Sequence, residues 1–100
     1  MTSRIENVFI KKDKKLVTFV TGGDPDIVNC KKILNIIAKN NIDIIEIGMP
    51  FSDPMADGPT IQLSSTRAIK KGVNLDKIFE ISNNLRGNYK DLPIILMGYY

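Results

Sequence analysis

Ile42-Asp43-Ile44-Ile45-Glu46-Ile47-Gly48, followed directly by Met49-Pro50-Phe51-Ser52-Asp53-Pro54-Met55-Ala56-Asp57-Gly58, is the stretch on which the fold turns. Its first half is a run of strand formers too apolar for a strand with one wet face, which points to a strand covered on both faces, as in a parallel sheet. The second half holds two prolines, two aspartates and a glycine, a composition that ends regular structure and makes an irregular loop.

Working outward, Leu16 to Thr21 reads as an earlier strand that stops at Gly22-Gly23. Asp24-Pro25 then supplies an N-cap carboxylate and a proline for the first helical position, and Ile27, Cys30, Leu34 and Ile37 recur at helical spacing to about Asn40. Strand, helix and strand in that order predict a right-handed βαβ unit and a parallel sheet. Beyond the loop, helix resumes at Pro59 and ends at Lys70-Lys71-Gly72. A further helix is capped by Asn74, striped by Leu75, Ile78, Ile81 and Leu85, and can end at Gly87. Leu92 to Tyr99 is the third strand. Upstream, Ser3-Arg4-Ile5-Glu6 reads as a capping box opening a short helix that plugs or flanks the core.

One hundred residues bound the chain to one small α/β domain with enough apolar side chains for a core. Lys and Arg number 14 against 11 Asp and Glu, and they come as separate pairs rather than as a stripe interleaved with aromatics, so nucleic-acid binding is not indicated. The single cysteine, Cys30, permits no internal disulfide and is accounted for by core packing. The start carries no apolar signal core and no run is long enough to cross a membrane, so a soluble cytoplasmic protein is expected. With no histidine and one cysteine, metal and thiol chemistry lack ligands.

Glu46 is the anomaly of the central strand. Alternation sends Ile45 and Ile47 to one face and Ile44, Glu46 and Gly48 to the other, so in a closed sheet the carboxylate points into the barrel mouth. Burial without a partner should raise its pKa toward the range useful for proton transfer at neutral pH. A structural ion pair with a later strand is the alternative. Asp57 follows on the same rim, where Asp-Gly is also ordinary turn chemistry. Phe19, Ile61, Met97 and Tyr99 stand near strand ends or just after the loop and would give the two carboxylates an apolar, aromatic-sided pocket. Gly22-Gly23-Asp24 lacks the spacing of a phosphate loop, and an aspartate would occupy the positive helix end a phosphate needs.

Together, Phe19-Val20-Thr21-Gly22-Gly23-Asp24-Pro25, the stretch Ile45 to Gln62, and Pro93 to Tyr99 resemble the tryptophan synthase alpha subunit family along essentially the whole chain. The resemblance implies a TIM (β/α)8 barrel of which this chain holds the N-terminal helix and the first three strands with their helices. It implies cleavage of indole-3-glycerol phosphate to indole and glyceraldehyde 3-phosphate, with Glu46 and Asp57 as catalytic carboxylates and Phe19, Ile61, Met97 and Tyr99 lining the indole pocket. It places Asp53 and Pro54 against a β subunit, in an α2β2 complex, that carries the pyridoxal phosphate, while the alpha chain itself needs no metal or organic cofactor.

The resemblance also implies that the phosphate site lies on strands beyond Tyr100. The chain is therefore expected to be an inactive N-terminal fragment with open sheet edges. A stand-alone lyase and a non-catalytic activator subunit are the rival functions.

Overall fold

The computed structural model describes residues 3–51 and 57–98. Its elements run α1 (Arg4–Ile10), β1 (Val17–Thr21), α2 (Ile27–Lys39), β2 (Ile44–Gly48), α3 (Pro59–Lys70), α4 (Leu75–Asn88) and β3 (Ile94–Met97). The strands form one parallel sheet in the order β1-β2-β3. In register, Phe19 lies beside Glu46 and Glu46 beside Ile95, while Thr21 lies beside Gly48 and Gly48 beside Met97. Strand partners in register share a face, so these residues stand on one side of the sheet.

The opposite side carries the core. Ile45 and Ile47 are fully buried beneath Cys30 and Leu34 of α2 and Ile78, Ile81 and Leu85 of α4. Removing each of the large aliphatic side chains among them from water contributes about 1.5–3 kcal/mol. The two helices lie side by side and are joined at their surface by Lys31–Glu80 at 2.9 Å and by an amide cluster in which Asn35 bonds both Asn84 and Asn88.

Several predicted details move. The side chain that caps α2 is Asp26, which accepts from Asn29 N at 2.8 Å; Asp24 turns away to the Arg67 guanidinium at 2.8 and 3.1 Å. Gly87 lies inside α4, which continues to Asn88 because Arg86 grips the carbonyls of Tyr89, Lys90 and Leu92 just beyond. β1 and β2 begin later than predicted, and β3 is shorter, with Tyr99 outside the described residues. The Ser3 cap is present, its Oγ accepting from Glu6 N at 3.1 Å. However, α1 neither plugs nor buries an apolar face: Ile5, Phe9 and Ile10 remain exposed. The Asn74 cap and the end of α3 stand as predicted, with Gly72 in the left-handed region at φ 87°.

Cys30 is buried in the core, and burial pushes its thiol pKa upward. Among the described residues, no helix is long and apolar enough to cross a membrane.

Candidate functional site

All three strands run the same way, so their C-terminal ends form one rim, and the chain changes course there after β1 and again after β2. After β1 it makes a tight turn: Gly22 N donates to Gly48 O at 2.8 Å, Gly23 sits at φ 85°, and Asp24 N returns to Thr21 O. This is the strand-to-helix turn predicted in place of a phosphate loop. After β2, Met49 N donates to Met97 O at 2.6 Å, which extends the pairing past the strand and carries the chain out along the rim. Asp57 lies directly before Gly58, the N-cap of α3.

A cavity of about 250 Å³ opens at this rim on the uncovered side of the sheet. Phe19 and Met97 wall it from β1 and β3, Ile61 from the first turn of α3, and Met49 from above β2. Asp57 completes the lining, so four of the predicted site residues meet at one cavity. Gly48 lets the Phe19 ring lie close over the strand end, where a Cβ would collide with the ring as it stands.

Glu46 stands on the same side of the sheet, two residues before Gly48 and between Phe19 and Ile95 in register. It is not part of the cavity wall itself. Nor is it buried as predicted; it is half-buried, because the face it stands on is open in this three-stranded sheet. The remaining predicted site residues, Tyr99 of the pocket and Asp53 and Pro54 of the partner surface, lie outside the described residues.

Sequence reasoning missed Thr21 and Ser65, which are 6% and 3% exposed and line the same cavity. Thr21 Oγ1 also meets Ser64 Oγ at 2.6 Å, pinning α3 to the end of β1. The available signal was helical spacing: Ser64 and Ser65 follow Ile61 by three and four residues, the positions that share its face. A second cavity of about 250 Å³, walled by Met49, Pro50, Phe51, Val73, Leu75 and Ile78, has no charged residue in its wall among the described residues, and the polar residue there, Asn74, is already engaged as the α4 cap. The first cavity is therefore the candidate site. Among the described residues no group of three or more His, Cys, Asp or Glu side chains is placed to hold a metal ion.

The chain has known relatives. A family model described as "Tryptophan synthase alpha chain" matches residues 5–100. The tryptophan synthase alpha chain of Petrotoga mobilis is 50% identical over 98 residues, which is 98% of this chain and 37% of that protein. Among solved structures, tryptophan synthase subunit alpha of Legionella pneumophila superposes with a TM-score of 0.93 at 33% identity, over 99% of this chain and 39% of that one. A chain from the tryptophan synthase α2β2 complex of Pyrococcus furiosus does so with a TM-score of 0.78 at 41% identity, over 86% and 34%. The chain thus spans under two-fifths of the length of the curated relative, with the strands and helices that open a (β/α)8 barrel.

Proposed function

Because the chain belongs to the tryptophan synthase alpha chain family, we propose that it supplies the indole end of an active site that cleaves indole-3-glycerol phosphate to indole and glyceraldehyde 3-phosphate in tryptophan biosynthesis. The observation that carries this reading is the cavity between Phe19, Ile61 and Met97, apolar and aromatic-sided, with Asp57 among its lining residues and Glu46 on the same face of the sheet. A flat aromatic ring with one N–H group fits such walls.

The chemistry is a retro-aldol cleavage, a carbon–carbon lyase reaction. The indole ring accepts a proton at C3, the side-chain hydroxyl loses one, and the bond between ring and side chain breaks to leave indole and an aldehyde. Glu46 is assigned both proton transfers, since a carboxyl group that gives a proton at one step can take one at the other. Asp57 is assigned to the ring N–H, where a fixed anion offsets the positive charge that develops on nitrogen as C3 is protonated. These steps use side chains of this chain and call for no metal or organic cofactor.

The partner is proposed to be a β subunit carrying pyridoxal phosphate, on the resemblance of this chain to one from an α2β2 complex. Asp53 and Pro54 are the residues assigned to that contact by the same resemblance. The compartment is proposed to be the cytoplasm.

The test is indole release by a family-length alpha chain carrying this sequence. Glu46→Gln keeps the shape of the side chain and removes its titratable proton. The expected loss is about a hundred- to ten-thousand-fold in rate, or roughly 3–5.5 kcal/mol of transition-state stabilisation. Indole release at the parent rate would remove Glu46 from the mechanism.

A further inference from the structure

We propose that Gln62 is a positioning residue that sets the orientation of Asp57. The inference rests on the role assigned above to Asp57 and deepens it. α3 starts where the Asp57 loop ends, yet that start lacks the usual anchor: Gly58 is the N-cap and offers no side-chain hydrogen bond, and Pro59 at the first position has no N–H. Gln62 takes over. Its side-chain Nε2 donates to the Asp57 carbonyl at 2.7 Å, and its backbone N donates to the Gly58 carbonyl at 3.0 Å. The backbone bond is the ordinary first bond of the helix, so the side-chain bond is the added hold, and by holding the 57–58 peptide it restrains the direction in which the Asp57 side chain leaves the backbone.

The grip matters because α3 is itself held. Ser64 Oγ donates to Ile61 O at 2.9 Å, and because a hydroxyl has one proton, Thr21 Oγ1 must be the donor in the 2.6 Å contact with Ser64. One turn further, Arg67 clasps Asp24 with two hydrogen bonds. Both partners sit at the end of β1 or in the turn after it. Gln62 thus transfers to Asp57 a frame defined by the sheet, and it does so from the surface, where its own side chain touches no substrate cavity.

The experiment uses a family-length alpha chain carrying this sequence, with its β partner, and follows indole release from indole-3-glycerol phosphate. Gln62→Met keeps the length and removes the donor. A misplaced carboxylate acts chiefly on the transition state, so kcat should fall about tenfold while KM stays within about twofold. Gln62→Lys restores a donor and should recover kcat to within about threefold of the parent. In an Asp57→Asn background, Gln62→Met should cost less than about twofold more, because a residue that acts through Asp57 has nothing left to position.

Parent kcat in Gln62→Met, a rise in KM alone, no recovery in Gln62→Lys, or the full tenfold loss on top of Asp57→Asn would each overturn the proposal. Should Gln62→Met fail to fold, Gln62→Glu, isosteric but with an acceptor where the donor was, carries the same expectations. The Asp57→Asn chain separates the two levels. If it releases indole at the parent rate, the role of Asp57 itself is wrong; if it is slow while Gln62→Met is fast, only the positioning role falls.

Discussion

A Cβ built on Gly48 would lie 2.5 Å from Cζ and 2.8 Å from Cε2 of Phe19, closer than real side-chain carbons approach. The contact is with the far end of a ring that is 38% exposed, so the ring can swing aside at little cost. Gly48→Ala should therefore cost less than about 1 kcal/mol in stability, below the usual range for overpacking, while it reshapes the pocket wall. Urea melts and indole-release kinetics on a family-length chain check this: KM should rise several-fold with the melt nearly unchanged. A large loss of stability with unaltered KM would mean the backbone yields instead of the ring.

Gly22 presents the opposite case. A Cβ there would meet Ile78 Cδ1 at 2.2 Å, with Gly48 O and Ile47 Cγ2 both at 3.1 Å. Ile47 and Ile78 are core residues that are 0% and 1% exposed, so no neighbour can give way cheaply. Gly22→Ala should destabilise by about 1–3 kcal/mol, seen as a lower urea midpoint with an unchanged slope. A midpoint equal to the parent's would show that the turn after β1 is looser than this geometry.

Acid should loosen the α2–α4 layer. The Asn29 backbone N–H, then the Asn29 side chain, hold the Asp26 carboxyl below its ordinary pKa, and a hydrogen bond from Lys31, followed by the charge of Lys31, does the same for Glu80. Both groups bind a proton less readily folded than unfolded, so their contribution is present above their unfolded values, about 4, and is lost as pH falls through the folded ones. The melting temperature should fall between about pH 5 and about pH 3, and fall less steeply in Glu80→Gln. Parallel curves for the two proteins would discharge Glu80 from the acid response.

Cys30 should be inert in the native protein. It is 0% exposed, and burial raises its thiol pKa, which starves it of the thiolate that reacts. Iodoacetamide labelling should proceed only as denaturant unfolds the chain. Labelling at the rate of a free thiol under native conditions would show that α2 lifts off the sheet.

Phe19 and Met97 were legible in sequence because parallel order brings both strand ends to one rim, whereas Asp57, in the loop after β2, was ordinary turn chemistry by itself and stood mainly on the family resemblance. Glu46 was legible as an anomaly, but its half-buried state was not, since burial depends on whether the sheet closes over that face. The choice between Asp24 and Asp26 as the α2 cap could not be read locally. Either carboxylate beside Pro25 can cap, and Arg67, 43 residues away from Asp24, decides the matter. Gly87 looked like a stop because glycine weakens helices, but the burial of Leu85 and the hold of Arg86 on the following carbonyls outweigh that preference. Thr21 and Ser65 escaped notice because a hydroxyl in a strand or helix is chemically unremarked until its surroundings are known.

The bond between Thr21 and Ser64 has a consequence for how the two carboxylates are spaced. Glu46 takes its position directly from β2, whereas Asp57 takes its position from α3, which is fastened to β1. The gap between the acids is thus a gauge of how two adjacent staves of the sheet slide past one another. A force that sheared β1 against β2 by a fraction of an ångström would retune the spacing without touching either acid, leaving strand registry as a dial on the proposed reaction.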